Sequence, residues 1–367
     1  MTSEIALVVP VRDRQLLLQL RDDHAPTRKN LWSFFGGSIE GSESPLEAAV
    51  REYKEELDIV SQNGLDYAFT VERVKPSGTF VKHIFLDHLH TTFSHRIKEG
   101  KEARFFHQDE LYSIAIKPSD HKLGLMVFAH INKIKPDADF SHELSWWDSH
   151  LQGKDAYAEH LKDLLDPTRR HLRFPQPLRK YLKGQGNPIR GLEIGSGPTS
   201  TLAWAVDTGL LQLTAVDPLA EAYQRLLTGR GYDQYPVKPI DLSGEQLLSY
   251  FEPESFELIY MRNSLDHTQY PRIVLANAVE LLAPGGILYI EGHVKEGTHA
   301  RWQGLHKYDF IPREGSLICT SEQGETCDLT ANLPLTTTEH TTQDLPQSVW
   351  YNLVMRRLPF PQFIPLK

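Results

Sequence analysis

The chain has 367 residues, 40% hydrophobic and 24% charged, with a formal net charge of −9. This is the profile of a globular protein with room for two domains of ordinary size, and its acidic balance argues against an extended non-specific grip on nucleic acid, which needs a basic surface. No run of 18 or more apolar residues offers a membrane span. The first ten residues lack the basic start and apolar run of a secretion signal, and the two cysteines, Cys319 and Cys327, make no disulfide framework, so a cytoplasmic setting is expected.

In chain order, Ile5 to Val11 and Gln15 to Leu20 read as strands. Pro45 to Leu57 reads as a helix: Ser44 supplies the N-cap, Pro45 the first turn, and Leu46, Ala49, Val50, Tyr53 and Leu57 recur at helical spacing. His83 to Leu89 is strand-like, and Leu123 to Ile131 is a closing helix before a break at Lys135-Pro136-Asp137. A domain boundary is placed there, giving domains 1–135 and 136–367, the second with a helical lead-in at about 142–185. Within the lead-in, Ser145 to Leu165 is amphipathic and ends near Asp166-Pro167. From Gly191 on, strands (Leu192 to Gly195, Leu213 to Asp217, Phe256 to Met261, Ile287 to Glu291) alternate with helices (Thr201 to Thr208, Ala220 to Leu227, Ile273 to Leu282). That order implies a mainly parallel sheet covered by helices. Leu317 to Thr320 and Trp350 to Leu358 read as strands joined by a Thr-rich loop, an antiparallel finish.

The helix at 45–57 carries the most specific signal. Glu52, Glu55 and Glu56 stand at i, i+3 and i+4, on one face. Three adjacent anions weaken a bare helix, and they make sense if a hard divalent cation, Mg²⁺ or Mn²⁺, neutralises them. Arg51 can steady the carboxylates, and Gly36-Gly37 lets the preceding loop pass close to a bound phosphate. Gly37, Glu43, Arg51, Glu52, Glu55, Glu56 and Ile59 fall in register with G-x5-E-x7-R-E-U-x-E-E-x-G-U, U being a bulky aliphatic. Over about residues 3 to 133 the chain resembles the Nudix hydrolases. Tyr53 replaces an aliphatic, and Asp58 replaces the glycine after the helix, where a left-handed residue is needed; Asp tolerates that conformation better than most. The resemblance implies an α/β/α sandwich with a mixed sheet that hydrolyses a nucleoside diphosphate linked to another moiety. It also implies that Glu55 and Glu56 bind metal, with Glu52 the third ligand or the base. Glu102 is a further candidate, completing the site from a loop. Trp32, Phe34 and Phe35 offer faces on which a base could stack but read first as core or strand-packing residues.

A second motif, Leu192-Glu193-Ile194-Gly195-Ser196-Gly197-Pro198-Thr199, ends a strand and opens a helix with a tight glycine turn. Asp217 follows the next apolar run, where an acidic side chain suits ribose hydroxyls. Position 200 is Ser rather than the third Gly of a dinucleotide-binding turn, and a Pro-Gly-Gly turn precedes Ile287. These residues resemble the class I S-adenosylmethionine-dependent methyltransferases over about residues 186 to 295, which implies a Rossmann-like fold. By that resemblance Gly195 and Gly197 approach the methionine part of S-adenosylmethionine, Glu193 anchors its amino group and Asp217 takes the ribose hydroxyls. Asp241 and Leu242 meet the adenine, and Asn263 lies in the segment after the fourth strand.

For the methyl acceptor, a small molecule, the candidates are His267 and His293. Asp266 and His267 read equally as loop-stabilising residues. Glu296, His299, Trp302 and His306 add polar density after the fifth strand, but their spacing fits no ligand pattern and no metal is expected there. Cys319 and Cys327 are spaced for a hairpin. The whole reads as a bifunctional enzyme, hydrolase then methyltransferase. The alternatives are a methyltransferase regulated by a nucleotide-binding Nudix module, which need not keep all three glutamates, and RNA cap or RNA modification, which the acidic balance disfavours.

Overall fold

The computed structural model describes residues 2–25, 28–59, 61, 64–75, 78–89, 97–131, 140–153, 156–182, 188–313, 315–346 and 348–359. The chain divides into two compact units, Met1–Asn132 and Lys133–Phe360. The Lys135-Pro136-Asp137 break lies outside the described residues. No helix among the described residues is long and apolar enough to cross a membrane.

The first unit runs β1 (Thr2–Arg12), β2 (Gln15–Leu20), β3 (Trp32–Ser33), β4 (Phe35–Ser38), α1 (Pro45–Leu57), β5 (Asp66–Lys75), β6 (Gly78–His88), β7 (Glu102–Phe106) and α2 (Pro118–Ile131). Its seven strands form one mixed sheet in which β1 is central, parallel to β6 and antiparallel to β2 and β4. Ala6, Leu7, Val8 and Val9 are all buried, which is why β1 is continuously apolar rather than alternating. Helix α1 covers the sheet through Ala48, Ala49, Tyr53 and Leu57, packed on Ala6, Val8, Leu17, Phe35 and Phe85. Leu46 and Val50, expected on that face, remain exposed at its edge. Tyr53 fills the core, and its hydroxyl donates to Asp87 Oδ2 at 2.8 Å, so the departure from an aliphatic residue is satisfied. Asp58 adopts the left-handed conformation expected of it, φ 56°. Trp32, Phe34 and Phe35 are core residues.

The second unit runs α3 (Ser141–Gln152), α4 (Ala156–Leu165), α5 (Arg179–Leu182), β8 (Ile189–Ile194), α6 (Ala203–Asp207), β9 (Leu211–Val216), α7 (Ala220–Thr228), β10 (Phe256–Arg262), α8 (Pro271–Leu281), β11 (Leu282–His293), α9 (Glu296–His299), β12 (Tyr308–Arg313), β13 (Ser316–Ser321), β14 (Thr326–Asp328), β15 (Leu335–Asp344) and β16 (Val349–Arg357). The main sheet has the order β15-β16-β11-β10-β8-β9, parallel from β11 to β9 and antiparallel at β16 and β15. The chain leaves β8 toward β9 on one side and returns to β10 on the other, a switch point whose carboxyl ends open a crevice.

Two expectations are corrected. The segment from Ser145 to Leu165 is two helices, not one; Gly153, a poor helix former, caps α3. The Thr-rich stretch is not a loop but strand β15, paired along β16, in keeping with the strand preference of β-branched residues. The antiparallel finish holds for β16, whereas β13 belongs to a separate sheet with β12 and β14, where Cys319 faces Cys327 across a hairpin.

The start of α1 fixes where the glutamate face begins. Ser44 accepts from the Glu47 N–H while Glu47 accepts from the Ser44 N–H, a reciprocal capping box. Ser44→Ala is expected to destabilise the first unit by about 1 kcal/mol, measured by urea denaturation.

Candidate active sites

Helix α1 presents Arg51, Glu52, Glu55 and Glu56 beside the β4 glycines. Arg51 is the hub. It donates to Glu43 Oε1 at 2.8 Å, Glu52 Oε1 at 2.8 Å, Glu55 Oε2 at 3.2 Å and the Ser38 carbonyl at 3.0 Å. The glutamates differ in setting. Glu55 is 55% exposed and Glu52 16%, whereas Glu56 is buried. Glu56 Oε1 accepts from Gln19 Nε2 and its Oε2 from the Gly36 N–H, both at 2.7 Å. Burial pushes its carboxyl up from the usual 4.5 to about 7, against the pull of those hydrogen bonds and with the charges of Glu52 and Glu99 adding to the rise. Gly37 has a steric role: a Cβ there would lie 2.4 Å from Glu52 Oε1 and would displace that carboxylate.

Glu102 is not on a loop. It is the exposed first residue of β7, opposite Leu20, and the loop carboxylate whose charge reaches Glu56 is Glu99. Gln19 escaped the sequence reading, although a polar residue inside the apolar run of β2 was a usable signal. Among the described residues, the oxygens of Glu52, Glu55 and Glu56 do not converge within 4.8 Å of one another, and Arg51 bridges Glu52 and Glu55 instead.

In the second unit, a cavity of about 640 Å³ opens at the carboxyl ends of β8, β9 and β10. Gly195 and Gly197 turn through the left-handed region, φ 72° and 60°. The Gly197 N–H donates to Asp217 Oδ2 at 3.0 Å and the Leu219 N–H to Asp217 Oδ1 at 2.9 Å. Burial raises the Asp217 carboxyl to about 6 against those two bonds. Glu193 is buried too. Its carboxyl is pushed up to about 8, and Oε2 has no hydrogen-bond partner. Asn263, at φ 46°, accepts from the His293 N–H through Oδ1 at 3.3 Å, joining the ends of β10 and β11. Glu193, Gly195, Gly197, Asp217, Leu242, Asn263, His267 and His293 all line the cavity. Asp241 does not: its side chain is exposed, and Leu242 is the residue turned inward. His293 Nδ1 meets Ser348 Oγ at 2.8 Å.

The lead-in helices contribute more than sequence reasoning assigned them. Glu143, Trp146 and Trp147 of α3, with Tyr157 and His160 of α4, form one wall of the cavity. Trp147 donates through Nε1 to Glu143 at 2.8 Å, and a Cβ on Gly197 would meet its ring at 3.0 Å. The adjacent tryptophans in an amphipathic helix were the signal.

The state of Glu56 sets a pH dependence. Between about 4.5 and 7 the folded chain holds a proton that the unfolded chain has released, so stability falls as pH rises through that window. In chelator, the first unit is expected to lose up to about 3 kcal/mol between pH 4.5 and 8 relative to Glu56→Gln, measured by denaturation at each pH.

No curated protein matches the sequence. Among solved structures, the E. coli ORF135 protein is 24% identical, covering 37% of this chain and 94% of its own, TM-score 0.31. A MutT Nudix hydrolase from Burkholderia pseudomallei is 21% identical, covering 34% and 97%, TM-score 0.29. A SAM-dependent methyltransferase from Methanosarcina mazei is 18% identical, covering 50% and 99%, TM-score 0.35. Family profiles match a NUDIX domain over residues 1–125 and a methyltransferase domain over residues 192–288. Two family models thus match in series, a NUDIX domain in the first unit and a methyltransferase domain in the second.

Proposed function

We propose that the chain is bifunctional. Residues 1–135 hydrolyse a nucleoside diphosphate-linked compound with Mg²⁺ or Mn²⁺, and residues 136–367 methylate a small molecule from S-adenosylmethionine. The observation that carries the reading is that each unit holds its own set of acidic residues in a setting suited to its chemistry.

In the first unit the donors are all carboxylate oxygens on one helix face, a fit to a hard divalent cation. Glu52, Glu55 and Glu56 would hold it, taking it in place of the Arg51 guanidinium. When bound, it supplies positive charge that polarises the diphosphate. Glu56 must release its proton for this, so cation affinity rises as pH passes through about 7. Both Glu56 oxygens already accept hydrogen bonds from the protein, so its part is to hold the cation rather than to move a proton, and Glu52 is either the third ligand or the base for water.

In the second unit, Glu143, Glu193, Asp217, Glu245 and Glu296 line the cavity against two basic residues, Arg262 and Lys307. A net negative wall favours a cationic sulfonium cofactor over an anionic dinucleotide, the rival for such a fold. Glu193, with one oxygen unpartnered, suits the cofactor's ammonium group, and Asp217, held by two backbone N–H groups, suits ribose hydroxyls. The bound cofactor supplies the methyl group. The protein's part is alignment, with Trp147 pressed on the glycine turn as one fixed wall.

The test is a screen of the full chain, with diphosphates plus Mg²⁺ in one arm and acceptors plus labelled S-adenosylmethionine in the other. Glu56→Gln is expected to lower diphosphate turnover by about 100-fold or more without changing methyl transfer. Asp217→Ala is expected to weaken S-adenosylhomocysteine binding by about 1–3 kcal/mol without changing hydrolysis. Wild-type hydrolysis by Glu56→Gln, or tight NAD binding with none of S-adenosylhomocysteine, overturns the respective half. Should bound nucleotide shift S-adenosylhomocysteine affinity several-fold, and the reverse by the same factor, the first unit is a regulator.

A further inference from the structure

Where the turn after β10 meets the segment before β12, three metal-ligating side chains come together. Asp266 and His267 lie in a single turn of 3-10 helix, Leu265–His267, after β10, and His306 lies between α9 and β12. The Lys307 N–H donates to the Asp266 carbonyl at 3.1 Å and ties the two segments together. His306 Nδ1 is 2.6 Å from Asp266 Oδ2 and 3.1 Å from His267 Nε2, and His267 Nε2 is 3.5 Å from Asp266 Oδ2.

Protons alone serve this triangle poorly. Nδ1 of His306 offers one in-plane site, and its two partners lie 3.5 Å apart, so a linear hydrogen bond to one leaves the other facing it without a proton between them. The Asp266 carboxylate is buried, and among the described residues its ion-pair partners are these two histidines, with neither Lys nor Arg beside it. A cation that accepts a lone pair from each atom removes the conflict. Bonds of about 2.0–2.1 Å in tetrahedral geometry place donor atoms about 3.3 Å apart, near the distances seen here. Two imidazoles and one carboxylate make a donor set that leaves a position open for a further ligand, as catalytic sites of this kind do.

We propose that Asp266, His267 and His306 bind a divalent transition-metal ion of the zinc type, with its open position facing the cavity. His267 and His306 both line that cavity, as do His293 and Glu296. The ligand class for the open position is an oxygen donor, a hydroxyl or carboxylate of the methyl acceptor. That last role rests on the methyltransferase reading; binding of the ion does not. The spacing within 293–306 carries no ligand pattern because the donors come from segments 40 residues apart.

The test uses the full chain, stripped with chelator and titrated with Co²⁺ alone while visible absorption is read. Carboxylates of the first unit hold Co²⁺ through oxygen in six-coordination, which absorbs weakly, and a Glu56→Gln background removes most of that contribution. One equivalent with intense four- or five-coordinate bands, displaced by Zn²⁺, is expected in wild type. The bands should vanish and Zn²⁺ affinity fall about 10-fold or more in His306→Ala and in Asp266→Asn. S-adenosylhomocysteine binding by the same variants reports that they are folded. Absence of intense bands in wild type, or their persistence in folded His306→Ala, overturns the proposal. Cobalt bands without S-adenosylhomocysteine binding in wild type would leave the ion assigned and remove the methyltransferase reading instead.

Discussion

A carboxylate taken out of water must be met by donors, and both candidate sites are arranged around that requirement. Glu56 is costly to ionise in the core of the first unit, and the Gly36 N–H and the Gln19 amide, each at 2.7 Å, offset part of that cost. That pair of contacts constrains much of the surrounding fold. Gly36 is placed by β4 pairing with β1, and its missing Cβ would otherwise lie 2.1 Å from the Ala6 carbonyl. Gln19 is placed by β2, and the Ser44 cap sets where α1 begins and so where Glu56 stands on it. Asp217 repeats the solution with other parts: a glycine N–H from the turn after β8 and the Leu219 N–H from its own loop. In both cases a glycine lets backbone approach where a side chain would block it.

This explains which parts were legible in the sequence. Residues whose identity is dictated by position on a regular element announced themselves: the i, i+3, i+4 glutamates, the Ser44 cap, the glycine turn and Asp217 after an apolar strand. Asp58 was legible too, because few residues tolerate φ 56°. Residues that act through tertiary contact were not. Gln19 reaches Glu56 across 37 positions, and Tyr53 finds Asp87 across 34. Periodicity places a residue on a face but does not say how far that face is covered, which is why Leu46 and Val50 were misjudged. Asp241 and Leu242 are neighbours at the mouth of the crevice, and the side chain that points inward depends on a backbone turn that no spacing rule specifies. The Thr-rich strand β15 was mistaken for a loop because Thr serves both states, and pairing with β16 decides between them.

On the proposed reading, the same acidic chemistry is used in opposite senses in the two units. A diphosphate substrate is itself an anion, so a helix face of carboxylates cannot bind it directly; the exposed Glu55 and half-screened Glu52 make sense only with positive charge between them and the substrate. Arg51 supplies some of that charge in the structure, bonded to both. Its guanidinium is fixed to the helix and also bonds Glu43 and the Ser38 carbonyl, so it can yield Glu52 and Glu55 to a cation without losing its place. In the second unit the ligand carries the positive charge, and the acids can face it unaided. There, burial raises Glu193 to about 8 and Asp217 to about 6, a cost to ionisation that the ammonium group and ribose hydroxyls of the proposed cofactor would offset. Transfer of the methyl group would convert the sulfonium to a neutral thioether but leave the ammonium and ribose groups unchanged, so on this reading Glu193 and Asp217 keep their contacts with the spent cofactor as with the fresh one.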